Sequence, residues 1–270
     1  LVIYSRLINL LDIDSKSKYN IEKDFNMKDI LQDIVSHTHN LGFLSMVKIT
    51  GTEDKTAIDS VAEDRSIILS ASTADPQPEM IGIFGMPQLN KLKIHLDCPE
   101  YKENAKIDLV KGQRNGEEIP VGLHFENKSG DFKNDYRFMN QSVIEEKLKI
   151  PRFKGVNWDI NFTPSVASVQ RFNLQATANN EHSTFVAKTD GDKLKFTFGD
   201  VNTHAGEFVF ADGITGKITA NLSWPVAQVL SILKIADVNN TTMSISNQGA
   251  LKIVLDSGIA TYEYILPAQA

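Results

Sequence analysis

The sequence predicts an α+β protein in which one supersecondary unit is used repeatedly, and three observations carry that prediction. Apolar runs end at a proline that opens an amphipathic helical stretch at Met86-Pro87, Thr163-Pro164 and Trp224-Pro225. Each of these stretches is followed by three strand-like runs separated by turn residues, and the same order recurs in both halves of the chain. Proline suits the first helical position, where its fixed φ fits and its missing N–H has no intrahelical partner. It also ends the preceding strand, because it cannot donate to a ladder. Recurrence of the whole join marks a duplicated unit.

The elements follow in order. The first helix is predicted over 27–41, with Asn26 or Asp24 as its cap, and leads into strands at 45–52, 56–62 and 66–72. A strand at 79–86 then precedes a helix at 88–98 and strands at 106–111, 119–126 and 131–139. In the second half a strand at 158–162 precedes a helix at 165–178 and strands at 182–188, 193–198 and 207–210, turned by Asp190-Gly191-Asp192 and by 200–206. The last unit has a strand at 217–224 and a helix at 226–237. Val226, Val229, Leu230 and Leu233 lie on one face of that helix, and Gln228, Ser231 and Lys234 on the other. Strands at 242–246, 250–256 and 259–266 close the chain, separated by Asn247-Gln248-Gly249 and Ser257-Gly258. Two similar domains are expected, 25–140 and 156–270, after a head at 1–24. The stretch 141–155 between them is charged, lacks strand alternation and holds Pro151. It reads as an extended connector, with a short helix over 143–148 as the alternative.

Composition fits this division: 270 residues, 41% hydrophobic, are enough for two ordinary cores. No apolar run approaches the roughly 20 residues of a membrane span, and the apolar opening 1–11 is too short and lacks a cleavage pattern. An intracellular protein is expected. The lone Cys98 excludes an internal disulfide or a cysteine-rich metal site. No chemistry is suggested. His37 and His39 are two apart and diverge on a helix, and Asp190-Gly191-Asp192 reads as a hairpin turn. Gly82 and Gly85 lack phosphate-loop spacing, no Gly-x-Ser-x-Gly occurs, and Cys98 has only His95 nearby. The expectation is a protein that is not an enzyme and needs no cofactor, catalytic residue or metal.

Two domains, each a doubled strand-helix-three-strand unit, joined by one connector, is how the sliding DNA clamps are built. The segments Trp224-Pro-Val-Ala-Gln-Val-Leu-Ser-Ile-Leu-Lys-Ile-Ala-Asp237, Ala250-Leu-Lys-Ile-Val-Leu-Asp256 and Tyr262-Glu-Tyr-Ile-Leu-Pro-Ala268 resemble the end of proliferating cell nuclear antigen and of archaeal and tailed-phage clamps. Phe84-Gly-Met-Pro-Gln-Leu-Asn-Lys-Leu-Lys93 looks like their second helix. The resemblance spans about residues 25–270 and lies in architecture more than in individual residues. Size and drift from the cellular pattern look more like a phage clamp, which would act in the host cytoplasm. The resemblance implies the DNA clamp fold, with helices lining the inside of a ring and antiparallel sheets outside. It also implies a homotrimer that encircles double-stranded DNA topologically, tethers a replicative DNA polymerase as a processivity factor and is opened by a clamp loader.

Site expectations follow from that ring. Lys28, Gln32, Lys91, Lys93, His95, Gln170, Arg171, Gln228 and Lys234 would face DNA, although lysine on an exposed helix face is also an ordinary solubilising choice. Asp29, Asp33, Asp97 and Asp237 share those helices or their ends, and Asp33 turned inward would give a lining of mixed sign. The net charge of −6, from 34 acidic and 28 basic residues, suits a protein that encircles DNA better than one that grips it by bulk charge. The resemblance places a partner-peptide pocket at Ile150, Pro151, Ala250, Tyr264, Leu266 and Pro267; simple packing is the alternative for Tyr264 and Leu266. Ring closure needs free strand edges, and 131–139 and 207–211 are the candidates. A non-ring processivity subunit of the same fold and a two-domain β-rich virion or carbohydrate-binding protein are the competing functions.

Overall fold

Asn26, a short side chain ahead of an apolar-periodic stretch, starts the first helix by accepting from the backbone N of Asp29 at 3.0 Å, and the Asp29 carboxylate accepts from Asn26 N at 3.2 Å. This reciprocal capping satisfies two N–H groups that the helix itself cannot. The protein is described by a computed structural model covering residues 25–114, 116–200 and 202–269; the head and the alternative cap Asp24 lie outside these. Four units follow in chain order. The first is α1 (Met27–Ser36) with β1 (Val47–Gly51), β2 (Thr56–Val61) and β3 (Ile68–Thr73). The second is β4 (Gly82–Met86), α2 (Leu89–Asp97), β5 (Lys106–Arg114), β6 (Glu117–Glu126) and β7 (Lys133–Arg137). A short β8 (Met139–Asn140) and α3 (Gln141–Lys147) intervene. The third is β9 (Ile160–Phe162), α4 (Val166–Ala178), β10 (Thr184–Asp190), β11 (Lys193–Phe198) and β12 (Gly206–Ala211). The fourth is β13 (Ser223–Pro225), α5 (Val226–Ile235), β14 (Thr241–Ser246), β15 (Ala250–Asp256) and β16 (Ala260–Pro267).

The strands form a nine-stranded sheet in the order β8-β4-β1-β2-β3-β16-β15-β14-β9, a four-stranded sheet β12-β11-β10-β13 and a three-stranded sheet β5-β6-β7. Every pairing is antiparallel. The two halves are fused where β16 pairs β3, from Ala260 opposite Thr73 to Ile265 opposite Ile68. Period-two alternation turns Tyr262, Tyr264 and Leu266 into the core and leaves Thr261 and Pro267 exposed on the other face. The helices pack in pairs, α1 with α2 and α4 with α5, on the core side of the sheets.

A buried polar cluster fastens this seam. The Asp33 carboxylate on α1 accepts from Tyr262 Oη at 2.7 Å and Ser257 Oγ at 3.0 Å, and lies 3.1 Å from His37 Nδ1. The His37 ring stacks on Tyr262 with centroids 4.3 Å apart, and Tyr264 Oη donates to the His37 carbonyl at 2.8 Å. Burial, reinforced by the Asp33 carboxylate, pushes the Tyr262 phenol well above its usual range, so it remains a donor.

Four expectations are corrected. The prolines do not open the helices: Pro87 and Pro164 precede the caps Gln88 and Ser165, and Pro225 is itself the cap of α5 while still paired to Thr184 in β13. β4 and β9 end at Met86 and Phe162, ahead of Pro87 and Pro164, whereas β13 runs through Pro225. The first helix ends at Ser36, and His39–Leu41 form a separate 3-10 turn. The strand expected over 217–224 shrinks to Ser223–Pro225, because the Asn247 side chain satisfies the backbone before it. Thr219 N and Ala220 N donate to its Oδ1 at 2.9 and 3.1 Å, and its Nδ2 donates to the Lys217 carbonyl at 2.8 Å.

Finally, the connector is helical at its start. Asn140 Oδ1 caps α3 through Val143 N at 3.0 Å, and Ile144 is fully buried above Gly85 of β4, on the outer face of the sheet. A Cβ at Gly85 would sit 2.6 Å from Ile144 Cγ1. The helix therefore docks where a strand residue has no side chain.

Asp33→Ala leaves the buried Tyr262 hydroxyl without its acceptor and removes one of the two acceptors of Ser257, and is expected to cost about 2–3 kcal/mol in urea unfolding, with Tyr262→Phe costing about 1 kcal/mol. Gly85→Val is expected to unseat α3, exposing the connector to limited proteolysis while the far-UV circular dichroism stays native.

Candidate nucleic-acid interface and partner groove

α1, α2, α4 and α5 carry few carboxylates, and each of them is engaged. Asp29 belongs to the α1 cap, Asp33 to the Tyr262 cluster and Asp97 to an ion pair with Lys93 at 2.6 Å. Asp237, just beyond α5, caps Asn239 N at 3.0 Å. α4 and α5 contain no acidic residue at all. Asp33 thus points at β16, and the sign of the exposed helix surface is set by what remains.

The nine DNA-facing candidates divide by environment. Gln32, Lys91, Gln170, Arg171 and Lys234 are exposed away from the buried stripes of their helices. Arg171 lies over the Phe208 ring, 5.5 Å from its centroid, and keeps its charge outward. Lys28 is half-buried and donates to the Tyr101 carbonyl at 2.8 Å, so it holds the loop after α2. Lys93 is neutralised by Asp97, and Gln228 is half-buried. His95 packs beside Phe125 at 5.1 Å, where burial and then the Lys91 charge hold its imidazole below the usual range. It offers no cation at neutral pH.

Two of the sheet edges among the described residues fall at the places the sequence suggested, while β5 and β13 end the same two sheets on their other sides. β7 ends the three-stranded sheet and β12 ends the four-stranded sheet. Each has an exposed apolar side chain on the helix beside it. α2, which packs on β7, presents Ile94 at 65% exposure; α4, which packs on β12, presents Leu174 at 66% and Val166 at 57%. α4 buries only Phe172 completely, and that ring sits among Phe185, Phe196, Phe198, Phe208 and Phe210. One aromatic plug therefore anchors the helix, and its other large apolar groups face outward. The signal in the sequence was there: residues 165–178 carry more apolar positions than one stripe can use.

The expected peptide pocket is not assembled as the resemblance implied. Tyr264 and Leu266 are fully buried on the helix side of β16, and Ala250 is buried as well. Ile150 and Pro151 are half-buried and Pro267 is exposed. Strand alternation explains the difference: the outward residue between Tyr264 and Leu266 is Ile265. Across the outer face, Val61 pairs with Ile68 and Ile68 with Ile265, giving an apolar row over the seam in which Val61 and Ile68 are half-buried and Ile265 is only 6% exposed. Lys147, Leu148 and Lys149 of the connector share a cleft of the outer surface with Met46 and Val61. Beyond Ile265 the row continues to Lys252, whose ammonium lies 4.8 Å from the Trp158 ring centroid.

No protein-family model matches the sequence, and no curated protein does. Solved structures match in shape. Proliferating cell nuclear antigen (PCNA) of A. fulgidus, in a structure with the C-terminal region of FEN-1 bound, superposes with a TM-score of 0.64 at 13% identity, covering 90% of this chain and 94% of that one. PCNA from Thermococcus kodakaraensis gives 0.63 at 12% identity over 88% and 97% of the two chains. The PCNA2–PCNA3 complex of Sulfolobus tokodaii gives 0.61 at 11% identity over 90% and 96%. At this identity the likeness speaks of fold, and it extends over nearly the whole of each chain. Four helix-and-meander units, paired helices on the core side and a central sheet crossing the middle of the chain together make this the fold of the sliding clamps.

Proposed function

We propose that the chain is the subunit of a homotrimeric ring that encircles duplex DNA without reading its sequence and tethers a replicative DNA polymerase. In this reading a separate loader opens the ring and the chain performs no chemistry of its own. The observation that carries the proposal is the pair of free edges, β7 and β12, each flanked by an exposed aliphatic residue, Ile94 on one side and Leu174 on the other. Joining one edge to the opposite edge of the next copy is a heterologous contact, which builds a ring when the rotation closes. It would pair the open ladders and cover the aliphatic groups in a single step.

Charge supports the same arrangement. The helices keep Lys91, Arg171 and Lys234 exposed while their carboxylates are engaged, in a chain whose net charge is −6. Phosphates would meet a lining of cations and amides, positioned without base readout. The half-buried Val61 and Ile68 of the outer face serve as the docking groove for partner tails, in place of Tyr264 and Leu266. The A. fulgidus structure, with a FEN-1 C-terminal region bound, shows that a protein of this fold takes such a segment.

The direct test is retention on circular DNA. Once loaded on a nicked plasmid, the protein is expected to resist high salt and to be released when the plasmid is cut. A protein held by phosphate contacts would instead dissociate steeply as salt rises, whatever the DNA topology. Leu174→Asp is expected to abolish retention with the thermal unfolding midpoint of the isolated chain unchanged, since the residue packs against nothing within its own fold. Lys91→Glu, Arg171→Glu and Lys234→Glu combined are expected to reduce loading on DNA while leaving assembly intact.

A further inference from the structure

The connector differs in charge from the chain that holds it. After Glu146 it carries Lys147, Lys149, Arg152 and Lys154 and no carboxylate through Gly155. All four cations are exposed, and none has a carboxylate within 4.0 Å among the described residues. Some other surface lysines are paired, Lys133 with Glu126 at 3.1 Å and Lys195 with both Asp190 and Glu207, and others such as Lys91 and Lys234 are not; the connector is set apart by four such cations in one short run. Four unpaired like charges within eight residues repel one another, and folding alone gives them no partner.

These cations lie beside the outer apolar row. Lys147 and Lys149 line the cleft that also holds Met46, Val61, Glu63 and Arg65. We propose that the groove running from this cleft along Val61 and Ile68 takes an acidic peptide segment of a partner protein, whose apolar anchor covers the row while its carboxylates meet the connector. The inference rests on the outer-face groove being the partner-docking site. Charges at the rim of such a groove steer association and discriminate between partners more than they add affinity, and their effect weakens as salt shortens the screening length. A nucleic acid is disfavoured as occupant, because the apolar row offers nothing to phosphate.

The test uses two labelled synthetic peptides with one Leu-Phe anchor, flanked in one by Asp and Glu and in the other by Lys, titrated by fluorescence anisotropy against the full chain. The acidic peptide is expected to bind about tenfold more tightly at low salt, a gap that narrows with added salt. Lys149→Glu with Arg152→Glu is expected to erase that preference, whereas Ile68→Asp weakens both peptides alike. Equal affinities, or tighter binding of the Lys-flanked peptide, would overturn the charge selection and leave the groove standing. Failure of both peptides to bind would overturn the groove as well. If the double charge reversal weakens binding of a linear DNA duplex and leaves the acidic peptide unaffected, the cations serve nucleic acid and the proposal falls.

Discussion

Peptide groups at the end of a sheet have hydrogen-bonding capacity that the sheet cannot use, and the architecture here is organised around where that capacity is left. Along the middle of the chain it is consumed internally, because β16 closes on β3 and makes one sheet of nine strands. At one side of each smaller sheet β7 and β12 keep it, and β5 and β13 end those sheets on the other side. An isolated molecule would expose these ladders together with Ile94 and Leu174, a combination that invites pairing with another chain. The proposed ring would use both features in one contact.

Keeping the ends in a fixed relation requires a rigid middle. The seam has six paired residues and, on its core side, a carboxylate shared by Tyr262, Ser257 and His37. On its outer side α3 is pinned through Ile144 into the space Gly85 leaves open. Full burial of one isoleucine contributes about 1.5–3 kcal/mol, comparable with the polar cluster, so both faces of the joint are held. The same outer surface carries the apolar row on which the proposed peptide would dock.

Much of this was legible in the sequence because periodicity and turn chemistry agreed. The helix over 226–235 buries the four residues its spacing indicated, and the meander after it is turned at Gly249 and Gly258, both at positive φ. Both candidate edges are sheet edges. What escaped was tertiary. Nothing local shows that Asn247 would take over the backbone of 219–220, or that Gly85 would seat a helix arriving from residue 141. The pocket residues were misplaced for a simpler reason: the resemblance supplied positions, while strand alternation, readable in Tyr262-Glu-Tyr-Ile-Leu266, already assigned Tyr264 and Leu266 to the core. For Lys28 and Lys93 the residue type was read without its partners, the Tyr101 carbonyl and Asp97.

The claim beneath all of this is that the β7 and β12 edges satisfy each other between copies. The native mass in solution measures it most directly. A closed assembly of three chains of 30.0 kDa each is expected, holding that mass on dilution. A monomer whose mass is independent of concentration would contradict it.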